Sequence, residues 1–110
     1  FEKGFGLDTD VMKWFSRYYL SSIHDAQNPL AVPLRLKELS HFPATLIIAA
    51  EYDVLRDEGL LFGEKLTEMG TPTKSIVMEG IVHSYFTQNH VFNKEIECTI
   101  QHIEAFLNDL

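Results

Sequence analysis

The sequence lacks most of the features that mark secreted, membrane-spanning or nucleic-acid-binding proteins. Its single cysteine, Cys98, cannot form a disulfide within the chain, a pattern that a reducing compartment tolerates. The longest mostly apolar run, residues 44–50, is far shorter than the about 20 residues of a transmembrane helix. Its 9 Lys and Arg residues form no cluster and are outnumbered by 16 Asp and Glu, so no phosphate-binding stripe is indicated. We therefore expect a cytoplasmic chain that binds neither a membrane nor nucleic acid.

Metal-binding patterns are also missing. Several histidines show neither the i, i+4 spacing of a helical metal site nor a neighbouring pair of cysteines: His24, His41, His90 and His102. Cys98 lies near the apolar stripe of the last predicted helix, and we interpret it as a small buried hydrophobe. No metal site is therefore expected.

The first part of the chain is predicted to be a helix followed by loops. The whole chain has 110 residues, of which 45% are hydrophobic, as in one globular unit. Apolar residues at helical spacings predict an amphipathic helix over residues 8–20, with Asp8, Thr9 or Asp10 as its N-cap. The prolines that follow break regular structure, so the segment before residue 43 is predicted to be mostly loop.

The second part of the chain alternates strands and helices. Residues 44–50 are apolar without alternation, as in a strand of a parallel sheet that is buried on both faces. Residues 74–78 form a second predicted strand, and helices are predicted over residues 57–69 and 91–110. This order predicts an α/β fold in which a right-handed crossover joins two parallel strands.

Two strands make the predicted sheet look incomplete. A strand that is buried on both faces also needs neighbours on both of its edges. We therefore expect the exposed edge to pair with an N-terminal portion of a larger protein or with another copy of the chain.

Two titratable residues, Asp53 and His83, follow the two predicted strands. Groups just beyond the carboxyl ends of parallel strands gather at one rim of the sheet. A carboxylate beside an imidazole fixes its tautomer and stabilises the imidazolium, so the histidine can shuttle a proton for a hydroxyl nucleophile. Taken singly, a loop aspartate that turns the chain and a structurally satisfied histidine are the commoner roles.

The stretch from Pro43 to Gly59, PATLIIAAEYDVLRDEG, resembles the acid-loop signature of the hormone-sensitive-lipase-like esterases, a group of α/β-hydrolases. The resemblance assigns the triad acid of that family to Asp53 and favours this role over a capping role. Val54 stands where the family usually has proline, which should loosen the loop without removing the carboxylate. Asp57 and Glu58 are interpreted as complements to the dipole of the following helix.

Residues 79–86, EGIVHSYF, are similar to the family's pattern of glycine, two residues, histidine, glycine and aromatic. The resemblance assigns the triad histidine to His83. Ser84 replaces the usual glycine, and we expect it to alter the turn after His83 while being small enough to be tolerated.

The resemblance extends to the first part of the chain. The aromatic helix and residues 28–34, NPLAVPL, resemble the segment that leads out of the family's cap. The resemblance therefore implies a cap-derived helix and loop segment over residues 1–42, and the C-terminal βαβα part of the α/β-hydrolase domain over residues 43–110. It also places the aromatic residues of the helix at the border of the acyl pocket: Trp14, Phe15, Tyr18 and Tyr19.

The nucleophile of this family is not found in the chain. No Gly-x-Ser-x-Gly elbow and no HGGG-type oxyanion loop is present, and both lie upstream of the acid and the histidine in α/β-hydrolases. We therefore expect the C-terminal part of a serine carboxylic-ester hydrolase of the esterase or lipase type. Its complete form would act on small acyl esters without a metal or organic cofactor, whereas these 110 residues alone would be inactive.

An alternative belongs to a different class of function. The chain would then be a non-catalytic remnant that serves as a self-associating or interaction module, with its exposed sheet edge paired to another copy.

Overall fold

The computed structural model describes residues 3–38 and 41–110. Within these ranges two strands and three α-helices follow one another in the order α1 (Thr9–Tyr19), β1 (Thr45–Tyr52), α2 (Arg56–Glu68), β2 (Thr73–Val82) and α3 (Asn93–Asn108). Short 3-10 turns cover Ile23–Gln27, Pro33–Arg35 and Tyr85–Thr87. The predicted α/β class is confirmed, and the division of the chain at residue 42 stays a prediction.

β1 and β2 are parallel, and α2 connects them. Their residues pair in one register from Thr45 with Thr73 to Ala50 with Met78. The second strand is longer than the predicted residues 74–78, because it continues through an irregularity at Gly80 and ends at Val82. A glycine inside a strand often marks a bulge, and Gly80 lies where the register of this strand shifts.

The two faces of the sheet carry different helices. On one face α2 lies so close that a Cβ at Gly63 would collide with the Ser75 hydroxyl and lie 3.0 Å from Ile47 Cδ1. Leu66 of the same helix is completely buried. On the other face a buried cluster extends to the beginning of α3; its members are Ala50, Met78, Ile81 and Tyr85, with Phe92 and Ile96 packed against them. A helix on each face is the arrangement that a parallel sheet requires.

α3 corresponds to the long docking helix predicted over residues 91–110, but much of its apolar stripe is exposed. Ile100, Leu107 and Leu110 all face outward. Cys98 is exposed as well, so its interpretation as a buried hydrophobe is wrong. The physical reason is that a sheet of two strands is too narrow to cover the whole helix.

α1 forms where the sequence predicts it, and Asp8 is its N-cap. The Asp8 Oδ1 atom accepts a hydrogen bond from the Val11 amide at 2.9 Å. The aromatic side chains of this helix are 53–76% exposed: Trp14, Phe15, Tyr18 and Tyr19. We call these four residues the aromatic face of α1. Within this face, the Trp14 ring contacts those of Phe15 and Tyr18, with centroids 5.2 and 4.6 Å apart.

The molecule is flat. Its principal extents are 41, 37 and 17 Å, and its radius of gyration is 15.5 Å. A compact domain of this length has a radius of gyration of about 13 Å. The chain therefore leaves more surface uncovered than a self-contained domain does.

Candidate active site

A change of register at the carboxyl ends of the strands determines which residues meet there. Up to Ala50 and Met78, partners in the two strands differ by 28 in residue number, whereas Tyr52 pairs with Val82, a difference of 30. The first register would have placed Asp53 opposite Ile81. The second places it opposite His83.

The irregular part of β2 is held by a side chain of β1. Gly80 has a φ of 73°, a conformation that glycine adopts without the steric cost of a Cβ. Its amide donates a hydrogen bond to the Glu51 Oε2 atom at 2.7 Å. The Glu51 carbonyl oxygen in turn accepts a hydrogen bond from Arg56 Nη1 at 3.1 Å. Glu51 therefore links the bulge of β2 to the first residue of α2.

The side chains of Asp53 and His83 form a hydrogen bond at this rim. The Asp53 Oδ2 atom lies 2.8 Å from His83 Nδ1. The Asp53 side chain is 12% exposed and the His83 side chain 36% exposed. The carboxylate is thus largely withdrawn from water while the imidazole reaches the surface.

The pairing fixes the role of each imidazole nitrogen. An ionised carboxylate can only accept, so His83 Nδ1 donates, and in the neutral imidazole Nε2 then carries the lone pair. Among the residues that the structure describes, Nε2 has no hydrogen-bond partner. It is therefore the atom that can take a proton from an incoming group.

The second oxygen of Asp53 is used to shape its own loop. Asp53 Oδ1 accepts a hydrogen bond from the Leu55 amide at 2.8 Å, and the Asp53 carbonyl accepts one from the Arg56 amide at 3.1 Å. These bonds form a turn that leads directly into α2. The loop therefore closes around the carboxylate with Val54 in the position where the family has proline.

The turn after His83 has a left-handed residue. Ser84 has a φ of 61° and a ψ of 19°, which disfavours a residue with a Cβ. This geometry explains why the family pattern has glycine there, and serine is accommodated in the same turn. Tyr85 follows with its ring buried, and its hydroxyl lies 2.5 Å from Thr99 Oγ1 of α3.

Other predicted residues lie outside this pair. Asp57 and Glu58 are in the first turn of α2, where they complement its dipole, and Asp57 Oδ1 lies 2.8 Å from Arg56 Nε. A cavity of about 380 Å³ adjoins the same turn but includes neither Asp53 nor His83. It is lined by Ala31, Val32, Pro33, Leu34, Leu55, Glu58, Gly59 and Phe62.

The segment before α1 also reaches the rim. The ring of Phe5 stacks on Tyr52, the residue before Asp53, with centroids 5.2 Å apart. Two cavities of the described chain, the one beside α2 and one at the end of α1, are lined neither by the aromatic face of α1 nor by His83. The role of this aromatic face as a border of an acyl pocket stays a prediction.

Three residues that hold the rim together were not predicted: Glu51, Tyr85 and Thr99. Nothing in the sequence distinguishes Glu51 from a solvated carboxylate, because its partner lies 29 residues away. Thr99 carried a usable signal, since it is a polar residue one turn after Ile96 on an otherwise apolar helical stripe.

In the described ranges, no group of three or more His, Cys, Asp or Glu side chains is arranged to hold a metal ion. No helix in those ranges is long and apolar enough to cross a membrane.

Comparison with known proteins identifies the class to which this fold belongs. Residues 1–87 match the sequence model of a protein family whose members have the alpha/beta hydrolase fold. The chain belongs to that family. The predicted fold class, the C-terminal βαβα portion of an α/β-hydrolase sheet, is confirmed by this match and by the solved relatives.

Several of the matched relatives are named esterases. The chain is 36% identical over 86 residues to an arylesterase of Saccharolobus solfataricus, covering 77% of this chain and 28% of that protein. It is 38% identical over 81 residues to an esterase of Mycobacterium tuberculosis, covering 72% of this chain and 25% of that protein. The solved esterase of Pyrobaculum calidifontis superposes with a TM-score of 0.81 at 34% identity, over 91% of this chain and 32% of that one.

The predicted membership of an α/β-hydrolase esterase and lipase family is thereby confirmed. The chain spans 25–32% of the length of these relatives. The catalytic roles of Asp53 and His83 stay a prediction.

Proposed function

We propose that Asp53 and His83 are the acid and the histidine of a catalytic triad in a serine carboxylic-ester hydrolase. The observation that carries the proposal is the 2.8 Å hydrogen bond between Asp53 Oδ2 and His83 Nδ1 at the carboxyl end of the sheet. Groups at this end of an open α/β sheet are those that meet a ligand. The esterase names of the matched relatives support the same reaction class.

The geometry of the pair fits the chemistry of ester hydrolysis. His83 Nε2 takes the proton of a serine hydroxyl while the serine oxygen attacks the ester carbonyl. The resulting imidazolium is stabilised by Asp53 and then gives the proton to the leaving alcohol. A water molecule attacks the acyl-serine in the second half, again with His83 as the base, and releases the carboxylic acid.

The serine belongs, in this proposal, to an N-terminal portion of the same hydrolase. Each strand of the two-stranded sheet has one edge without a strand partner in the described ranges, and the aromatic face of α1 is exposed. An N-terminal portion that covered these surfaces would complete both the sheet and the triad. The 110 residues alone are then inactive, and the complete cytoplasmic enzyme acts on a small acyl ester.

A second proposal is that the chain has the same fold but no catalytic function. The same uncovered sheet edges favour a non-catalytic module in which two copies of the chain pair edge to edge. Light scattering at increasing concentrations separates the two proposals. A stable dimer whose formation is abolished by a proline inside β1, for example at Ile47, supports the module.

A chimaera tests the first proposal directly. The segment of the Saccharolobus solfataricus arylesterase that this chain matches is replaced by this chain, and hydrolysis of p-nitrophenyl acetate is measured. We expect turnover in the chimaera. We expect His83→Ala to lower kcat by about four orders of magnitude or more, and Asp53→Asn by about four.

His90→Ala is the matched control, since His90 is an exposed histidine outside the pair. It should leave kcat unchanged. A chimaera that reacts with a fluorophosphonate at its serine and hydrolyses the ester equally well with His83→Ala would overturn the proposal.

A further inference from the structure

The turn that carries His83 is attached to α3 through a buried pair of hydroxyl groups. Tyr85 Oη lies 2.5 Å from Thr99 Oγ1, and these residues are 7% and 3% exposed. The two residues are separated by 14 positions in the chain and belong to different elements. Thr99 is one of two buried polar residues among those that the structure describes.

The direction of this hydrogen bond follows from the second bond of Thr99. The Thr99 hydroxyl donates its one proton to the Glu95 carbonyl oxygen at 2.8 Å. Its oxygen can then only accept from Tyr85, so Tyr85 is the donor. The result is a directional chain from Tyr85 through Thr99 to the backbone of α3.

These two hydrogen bonds begin close to His83 along the polypeptide. One residue, Ser84, separates His83 from Tyr85, and it is in the left-handed conformation. The Tyr85 ring is packed in the buried cluster with Ala50 and Met78. A fixed ring and a fixed hydroxyl leave the turn little freedom to rotate His83 away from Asp53.

We propose that the Tyr85–Thr99 hydrogen bond is a positioning device that holds His83 in the orientation in which Nδ1 meets Asp53. Tyr85 and Thr99 are positioning residues, because they act through the turn and through α3. The proposal rests on the proposed function only in taking His83 as the catalytic histidine. The coupling between the Tyr85–Thr99 hydrogen bond and the orientation of His83 lies within these 110 residues, so it can be measured without an ester substrate.

The test uses the 110-residue chain labelled with ¹⁵N and the downfield proton resonance of His83 Nδ1. In the parent chain we expect a resolved resonance, because the proton is held by the Asp53 carboxylate. Tyr85→Phe keeps the ring and removes the donor, and we expect the exchange of this proton with water to rise about fivefold. Thr99→Val removes the acceptor and leaves the Tyr85 hydroxyl buried without a partner, so the increase should be larger.

Two further variants separate positioning from general loss of structure. Thr99→Ser keeps the hydroxyl, so the exchange rate of the His83 proton should stay within about twofold of the parent rate. The double variant Tyr85→Phe with Thr99→Val should exchange more slowly than Thr99→Val alone, because it leaves no orphaned hydroxyl.

Thr67→Val is the matched control. Thr67 Oγ1 bonds the Gly63 carbonyl of its own helix at 2.9 Å, as Thr99 bonds Glu95, but Thr67 has no tyrosine partner. It should leave the His83 resonance unchanged. An equal response to Thr67→Val, no response to Tyr85→Phe, or a parent chain without the resonance would each overturn the proposal.

The outcomes distinguish this proposal from the proposed function. If Tyr85→Phe leaves the His83 proton unchanged while His83→Ala abolishes hydrolysis by the chimaera, the positioning device is wrong and the hydrolase stands. If Tyr85→Phe alters the proton while His83→Ala leaves hydrolysis intact, the coupling stands and the hydrolase is wrong.

Discussion

The rim of the sheet and the aromatic face of α1 are built in opposite ways. At the rim, hydrogen bonds between the carboxyl ends of β1 and β2 span 29 and 30 residues of sequence, and the bond from the turn after β2 to α3 spans 14. In α1, the capping bond to Asp8 and the bonds within the helix span a few residues, and the aromatic side chains point outward. The chain therefore supplies the hydrogen-bond partners of the rim by itself and leaves the aromatic face of α1 uncovered.

This difference has a physical cause. Buried polar groups must find partners within the fold, because an unsatisfied donor or acceptor costs about 1–3 kcal/mol. Exposed aromatic rings carry no such requirement and contribute stability only when something covers them. The two regions should consequently respond very differently to substitution.

The largest effect is expected in the layer between α2 and the sheet. Leu66 is completely buried, and Leu66→Ala should lower the free energy of unfolding by about 2–5 kcal/mol. Leu61 of the same helix is 52% exposed and supplies the control. Urea unfolding of both variants checks the prediction, and equal losses would show that α2 does not pack as described.

The close approach of α2 is tested by its glycines. Gly63→Ala should cost about 1–3 kcal/mol, because the added Cβ would collide with Ser75. Gly59→Ala places its Cβ at an ordinary 3.9 Å from Ile47 and should stabilise the helix by about 0.5–1 kcal/mol. Thermal unfolding measures both, and a stabilised Gly63→Ala variant would rule out the close approach.

The link between Glu51 and the bulge should have a moderate effect. Glu51→Ala removes the acceptor of the Gly80 amide, and since this bond is exposed we expect a loss of about 1 kcal/mol. Amide exchange at Gly80 and Ile81 should rise with it. Glu79→Ala, at an exposed neighbour, is the control, and faster exchange in both variants would contradict the specific role of Glu51.

A small gain in stability is expected from a substitution in the left-handed turn after His83. Ser84→Gly removes the Cβ that the φ of 61° disfavours, and it should stabilise the chain by up to about 1 kcal/mol. The melting temperature measures the gain. A lower melting temperature would mean that the added freedom of the unfolded chain outweighs the relieved strain.

The smallest effect is expected in α1. Tyr18→Ser changes an aromatic residue that is 76% exposed, so the free energy of unfolding should change by no more than about 0.5 kcal/mol. Denaturant titration of the 110-residue chain checks this. A loss as large as that of Leu66→Ala would show that the aromatic face is covered and would remove the contrast between the two regions.

Periodicity and the family pattern predicted the elements and the pair at the rim. The apolar run of β1 and the helical spacing in α1, α2 and α3 are local signals, so they can be recognised without the fold. The bulge of β2 was missed because the bond found there, from the Gly80 amide to Glu51, joins residues that are distant in sequence. The exposure of Cys98 and Ile100 was missed because a helical stripe does not reveal how wide a sheet lies beneath it.

The change of register in β2 brings His83 to the Asp53 carboxylate. The most direct measurement is the ¹⁵N-edited spectrum of the His83 Nδ1 proton in the 110-residue chain and in its Asp53→Asn variant. We predict a resolved downfield resonance in the parent chain that is lost or moved strongly upfield by Asp53→Asn. An identical resonance in both chains, or none in the parent, would contradict the claim.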